Sequence, residues 1–136
     1  MRIILTGDAL FSSRNLANRL DATFVEQLHN ADAVFTNAEF TTPNPETTVA
    51  AGRGYVTAVR PETLAELQAL NIKLVSFANN HSGDFGIAGM QDTLTAAKAH
   101  HLIAGGLAGS LDEARLPKFY DAADGRISFV TATATR

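Results

Sequence analysis

The chain has 136 residues, 46% of them hydrophobic, with a formal net charge of −3 and no cysteine. This length supports one domain with its own core, and the lack of cysteine excludes disulfides and thiolate metal sites. No run of lysine or arginine offers a footprint for a phosphate backbone, so we predict no nucleic-acid partner.

The N-terminus has one basic residue and only a short apolar run, which is not the pattern of a signal peptide. No apolar stretch approaches the roughly 20 residues that span a bilayer. We therefore predict no membrane span in this chain and a cytoplasmic location by default. This prediction does not extend to an export signal or anchor outside this chain.

The first part of the chain predicts two strands separated by a helix. Residues 3–5 are a short β-branched, apolar run, and residues 33–37 predict a second strand that ends near Glu39. Residues 14–31 have apolar side chains at helical spacing, and Asp21 indicates a new N-cap within that stretch.

A long loop is predicted next. Residues 40–54 hold prolines and glycines among threonines, which is the composition of turns and coil. A loop of about 15 residues in a compact domain is more often functional or mobile than merely connecting. Residues 55–59 then suggest a short strand.

The remaining elements complete a mainly parallel α/β sheet with flanking helices and a C-terminal hairpin. Pro61 suits the first position of a helix, and Asp124-Gly125 between apolar runs is typical of a hairpin turn. The further predicted elements are a strand at 73–77, a helix at about 87–100, a strand at 102–106 and hairpin strands at 118–121 and 126–131.

Polar side chains follow each of the clearest predicted strands. In open α/β sheets, ligands bind outside the carboxyl ends of the strands, and parallel strands bring those ends to one edge. Carboxylate, amide and imidazole groups together suit Mn²⁺, Fe²⁺, Zn²⁺ or Mg²⁺. The residues are Asp8 after the first strand, Asn37 and Glu39 after the second, and Asn79, Asn80, His81 and Asp84 after the third.

Each of these residues also has a purely structural interpretation. Asp8 can bond nearby amides in a turn, and Glu39 can be a solvated loop acid. Asn79 tolerates left-handed turns, Asp84 can cap the next helix, and His81 can lie on a surface loop. Their joint placement at successive strand ends favours one shared active-site rim.

Other residues give weaker signals. Arg53, between two glycines, can reach an anionic substrate, although a solvated loop arginine is an equal alternative. His29 and the pair His100-His101 end predicted helices, where the helix dipole favours histidine. The glycine-rich stretch 105–109 lacks the Lys-Ser/Thr of a P-loop and more readily forms a tight turn.

The motifs resemble a known family. The segments 6–8, 32–39 and above all 76–86, with its Asn-Asn-His-x-x-Asp-x-Gly pattern, look like the CapA family of poly-γ-glutamate capsule synthesis proteins. The similarity continues through 89–94 to Pro117 and so spans nearly the whole chain. That family is similar in fold to calcineurin-like metallophosphatases, which implies a layered αββα domain around a divalent metal.

The resemblance also implies residue roles. His81 resembles the histidine that acts in these proteins as general acid or stabilises developing charge, and Asp84 resembles its orienting partner. Asp8, Glu39 and Asn80 match the positions of metal ligands. Asn37, Asn79 and Arg53 remain candidates for substrate binding.

The implied function is that of a metal-dependent hydrolase domain acting on an anionic γ-glutamyl polymer or a related small amide or phosphate ester. A water on the metal is the expected nucleophile. The alternatives are a non-catalytic polymer-binding or export-assembly component, and a general metallophosphoesterase.

Two departures from the family pattern qualify this expectation. Metallophosphatases commonly have a histidine where this chain has Leu10, which implies that one metal is missing or differently held. Family members are longer, so the chain resembles their N-terminal portion with an incomplete sheet. We therefore predict an unpaired edge near Arg136, where a second chain or a further segment pairs.

Overall fold

A computed structural model describes residues 1–134 as a four-stranded parallel sheet with helices and a separate antiparallel hairpin. The strands are β1 (Ile3–Ala9), β2 (Ala33–Ala38), β3 (Ile72–Ser76), β4 (Ile103–Gly105), β5 (Lys118–Ala122) and β6 (Gly125–Phe129). The helices are α1 (Ala22–His29), α2 (Ala65–Ala69), α3 (Gly86–Ala99) and α4 (Leu111–Ala114), with short 3-10 helices at Leu16–Asn18 and Pro61–Leu64. The predicted mixed α/β class is confirmed.

The strand order β1-β2-β3-β4 follows the order along the chain, and each pair of neighbours is parallel. Every crossover between them must therefore return over a face of the sheet, which places their carboxyl ends along one edge. This topology confirms the common edge on which the predicted site depends. None of the helices within residues 1–134 is long and apolar enough to cross a membrane.

The helices begin where local chemistry favours a start. Asp21 Oδ1 accepts a hydrogen bond from Phe24 N at 3.1 Å, so Asp21 is the N-cap of α1, as predicted. Pro61 is the first residue of its 3-10 helix, a position that needs no N–H donor. The sequence signals thus set these boundaries.

The main core lies on one face of the parallel sheet. Val34 and Val75 from the sheet are fully buried there together with Leu28 of α1 and Leu67 of α2. Ala97 of α3 belongs to the same cluster. This burial of apolar surface holds the strands in place beneath the site.

The hairpin packs on the opposite face of the sheet. Phe129 of β6 meets Phe35 of β2 edge to face, with ring centroids 5.4 Å apart and planes at 73°. The hairpin covers only part of that face, because Leu5 of the edge strand β1 is 74% exposed. The layers are thus helices, parallel sheet and hairpin.

Several sequence predictions differ in detail from the structure. The strand predicted at 55–59 is wrong, since only a single bridge, between Ala58 and Thr41, forms there. The hairpin is confirmed, but Ala122 pairs with Gly125, so its loop consists of the two residues before Gly125. The unpaired edge predicted near Arg136 falls outside the described residues.

Candidate active site at the strand ends

One row of residues crosses the sheet at the carboxyl ends of its strands. In register, Asp8 pairs with Asn37, Asn37 with Ser76, and Ser76 with Gly105. A bulge in β1 sets the first of these pairs, because β1 advances three residues from Leu5 to Asp8 while β2 advances two. The extra residue re-aims the end of β1 and brings Asp8 level with Asn37.

Side-chain amides link the first three strands above this row. Asn37 Nδ2 donates to Asp8 Oδ1 at 2.8 Å, and Asn79 Nδ2 donates to Asn37 Oδ1 at 3.2 Å. Asn79 also donates to the Ala38 carbonyl at 2.9 Å and accepts from the His81 backbone N–H at 3.0 Å. A continuous chain of hydrogen bonds therefore runs from Asp8 to the loop that carries His81.

His81 and Asp84 form a close pair. His81 Nδ1 lies 2.8 Å from Asp84 Oδ2, and the same oxygen accepts from Thr57 N at 2.9 Å. The Asp84 side chain is fully buried, whereas that of His81 is 12% exposed. A buried carboxylate in this position favours the proton on Nδ1 and leaves Nε2 available for chemistry.

The capping alternative for Asp84 is not what the structure shows. Phe85 occupies the N-cap position of α3, and no side chain caps that helix. Asp84 Oδ1 has no hydrogen-bond partner within residues 1–134, and Arg53 Nη1 is 3.6 Å away. The Asp84 side chain therefore bonds to His81 and to the backbone of Thr57, and it does not cap α3.

The loop 50–59 folds back over the histidine. Arg53 Nη1 donates to the Asn80 carbonyl at 3.3 Å, and Tyr55 meets the His81 ring edge to face at 5.9 Å. Gly83 leaves the room that Arg53 occupies, since a Cβ there would lie 3.1 Å from the guanidinium. The long predicted loop thus forms one wall of the site.

Glu39 and Asn80 stand apart from the hydrogen-bond network. The Glu39 backbone is held at both ends. Its N–H donates to the Ala9 carbonyl, and its own carbonyl accepts from Thr57 Oγ1 at 2.9 Å. Within the described part of the chain, neither the Glu39 nor the Asn80 side chain takes part in a hydrogen bond or ion pair. Both side chains are therefore available to bind a ligand.

The side chains at this edge are of types that bind divalent metals, but few of them lie together. Asp8 is exposed, and only its Oδ1 is engaged, so a carboxylate oxygen remains for a cation. Among residues 1–134, no three histidine, cysteine or acidic side chains converge as a metal site. The oxygens of Asp8, Glu39 and Asn80 would therefore hold a metal only together with water, substrate or another segment.

Sequence reasoning missed Thr57 and Tyr55, of which Thr57 holds Asp84 and Tyr55 flanks His81. Both lie in the segment predicted as a short strand, and their contacts to Asp84 and His81 span 27 and 26 positions of the chain. No local signal identifies them.

The remaining candidates have structural roles. A Cβ at Gly106 (φ +80°) would come within 2.5 Å of Ala78 Cβ, so this glycine allows β4 to turn closely past the site. His100 Nδ1 meets Gln68 Oε1 at 3.0 Å, and His101 takes a left-handed conformation after α3. His29 Nε2 lies 2.7 Å from the Ala69 carbonyl. The interpretations as a tight turn and as helix ends agree with these positions.

Comparison with protein families matches residues 2–136 to the bacterial capsule synthesis protein family PGA_cap. The chain belongs to this family. It is also similar to the uncharacterized proteins y4sH and y4uA of Sinorhizobium fredii (strain NBRC 101917 / NGR234), each 30% identical over 141 residues. These alignments cover 95% of this chain but 29% of each relative. The chain thus spans less than a third of these curated relatives.

Proposed function

We propose that this PGA_cap chain contributes a metal-dependent hydrolase site to capsule synthesis or processing. Its substrate would be an acidic γ-glutamyl polymer or a related amide or phosphate ester. The observation that carries the proposal is the buried Asp84 carboxylate 2.8 Å from His81 Nδ1, at the same sheet edge as Asp8. Polar groups of this kind at strand ends are typical of catalytic sites in open α/β sheets.

His81 is the proposed general acid. Asp84 orients the imidazole and stabilises its positive charge, so that Nε2 can deliver a proton to the leaving group. Thr57 N holds the Asp84 carboxylate in place, and the Tyr55 ring limits how far the imidazole can swing. The pair is therefore organised before any substrate arrives.

Asp8, Glu39 and Asn80 are the proposed holders of the metal. A divalent ion bound there would lower the pKa of a water molecule and so supply the nucleophile. Asn37 fixes the Asp8 carboxylate through its 2.8 Å hydrogen bond, a typical contribution of a residue next to a metal ligand.

Substrate contact falls mainly to Arg53. The amides of Asn37 and Asn79 already bond to each other, whereas the Arg53 side chain is 41% exposed. Its guanidinium retains donors for a carboxylate or phosphate. We therefore assign anion recognition to Arg53 and a positioning role to the two asparagines.

The decisive experiment combines metal binding with turnover. Calorimetry with Mn²⁺ and Zn²⁺ should show binding to the chain and its loss in Asp8→Ala/Glu39→Ala. The control Glu26→Ala/Glu46→Ala removes as much charge from exposed positions and should bind normally. Equal binding by both double variants would place the metal elsewhere and refute this site.

The substrate class is tested by measuring the cleavage of three compounds by the metal-loaded chain. They are a γ-glutamyl anilide, a phosphate monoester and a γ-linked glutamate oligomer. Cleavage of only the phosphate ester would indicate a general metallophosphoesterase. Binding of the oligomer without cleavage of any substrate would indicate a non-catalytic polymer-binding or assembly component. The small number of acidic and histidine side chains that converge within residues 1–134 favours this non-catalytic alternative over the phosphoesterase.

A further inference from the structure

The segment 55–60 leaves one of its backbone edges unpaired. Thr41 N donates to the Thr57 carbonyl at 3.0 Å, and Val59 N donates to the Thr41 carbonyl at 2.9 Å. Alternate residues of an extended chain direct their N–H and C=O groups to opposite edges, so those of Ala58 point away from Thr41. Within the described residues, the Ala58 backbone groups make no hydrogen bond. Such an edge can pair with an added extended chain.

Two adjoining clefts follow this edge. A cleft of about 750 Å³, here called the Arg60 cleft, is lined by Arg14, Pro43, Ala58, Arg60, Glu62 and Phe85 among others. A second cleft of about 270 Å³ is lined by Ala58 and Tyr55. Tyr55 contacts His81, so a ligand laid along the edge would run from Arg60 to the proposed general acid.

The Arg60 cleft offers cationic donors to a ligand. Arg60 is exposed and forms no ion pair within residues 1–134. Arg14 is 58% exposed and uses only Nε on Glu66, so its terminal nitrogens remain available. Guanidinium groups of this kind bind carboxylates with two parallel hydrogen bonds. Glu62 lies on the same wall and opposes a carboxylate placed beside it.

The rest of the wall is apolar and stiff. Pro43 and Pro61 restrict the backbone on two sides, and Phe85 offers a partly buried ring. A preformed wall lowers the entropy that a flexible ligand loses on binding. This surface suits the methylene groups of a chain whose charges reach the arginines.

We propose that the Arg60 cleft and the Ala58 edge form a subsite for an extended, peptide-like chain with acidic side groups. The chain's amides pair with Ala58, and its carboxylates bind Arg60 and Arg14. The inference rests on the proposed function in that the same chain would reach His81. Binding at the subsite requires no metal, so the two can fail separately.

The test is fluorescence anisotropy of a labelled γ-linked octaglutamate at low salt, without metal. Arg60→Gln should raise the Kd about fivefold or more, since one charge-assisted contact is lost. Glu62→Gln should lower the Kd about twofold, because a repulsion is removed. Ala58→Pro removes an N–H that the fold does not use and should raise the Kd about threefold.

Arg115→Gln is the matched control, since it removes the same charge from an exposed arginine that pairs with Asp112. It should leave the Kd unchanged. Equal losses in Arg60→Gln and Arg115→Gln would show attraction by net charge alone and overturn the subsite, as would no binding by the unmodified chain. If Asp8→Ala/Glu39→Ala abolishes metal binding but still binds the octaglutamate, the subsite stands independently of the metal site.

Discussion

The side-chain amide of Asn37 donates a hydrogen bond to Asp8 Oδ1 at 2.8 Å, and the bulge in β1 places these two residues opposite each other. The bond fixes the direction of the Asp8 carboxylate and leaves its other oxygen without a hydrogen bond within residues 1–134. In the proposed function, Asp8 is therefore already oriented for a cation.

Asn37→Ala should therefore weaken metal binding without removing a proposed ligand. We expect the Kd for Mn²⁺ to rise about tenfold, since loss of an outer partner typically costs a metal site that much affinity. Calorimetry measures the change, and Asn18→Ala, at an exposed turn, serves as the control. Unchanged affinity in Asn37→Ala would show that Asp8 does not depend on this bond.

Asp84→Asn should lower catalysis by His81 while leaving its tautomer and the fold in place. Asp84 Oδ2 faces both Thr57 N and His81 Nδ1, so the amide oxygen of the variant takes that position and keeps both hydrogen bonds. The variant thus removes only the negative charge that stabilises a positively charged imidazole. ¹⁵N NMR of the histidines checks that the proton stays on Nδ1. We expect kcat, measured on the substrate best cleaved by the unmodified chain, to fall about a hundredfold.

The control for this variant is Asp112→Asn, at a side chain that is 82% exposed. It should leave both the tautomer and kcat unchanged. If Asp84→Asn keeps the kcat of the unmodified chain, the proposed stabilisation of positive charge by Asp84 is wrong. Loss of the fold is detected separately by circular dichroism.

Glu66 should make the stability of the chain depend on pH in the acid range. The backbone N–H groups of Leu16 and Asn15 and the Arg14 side chain lower the pKa of Glu66 below its ordinary value. A lowered folded-state pKa stabilises the fold above the unfolded-state pKa, and this stabilisation is lost as pH falls through the folded-state pKa. Acid should therefore weaken the link between Glu66 and the Leu16–Asn18 turn.

Urea unfolding of the chain and of Glu66→Gln tests this. Near neutral pH the variant should be less stable by about 1–2 kcal/mol, because the charged acceptor is gone. As the pH falls through the lowered folded-state pKa, the difference should shrink, since the carboxyl becomes protonated. Glu26→Gln, at an exposed position on α1, is the control and should show no such trend. A difference that stays constant with pH would contradict the prediction.

Gly106→Ala should destabilise the fold strongly. The residue has a φ of +80°, and an added Cβ would collide with Ala78 on one side and with the Thr131 side chain on the other. We expect a loss of about 2–4 kcal/mol in the free energy of unfolding. Gly54→Ala meets nothing within 4 Å and should change stability little. Similar values for the two variants would mean that β4 relaxes away from the contact.

The sequence alone determined the parallel α/β class and the gathering of polar residues at one edge. The runs at 3–5, 33–37 and 73–77 are local patterns, and parallel pairing of successive strands brings their ends together. Asp21 and Pro61 likewise marked helix starts, because capping depends on the nearest backbone groups. These features follow from interactions within a few residues of the chain.

Tertiary structure alone decided which groups complete the site. The β1 bulge depends on the partner strand, and Thr57 N reaches Asp84 Oδ2 across 27 positions of the chain. The predicted strand at 55–59 became a single bridge, because within residues 1–134 it pairs with a neighbouring segment only through Ala58 and Thr41. Contacts between distant segments depend on how the chain closes, and no residue pattern near Thr57 encodes them.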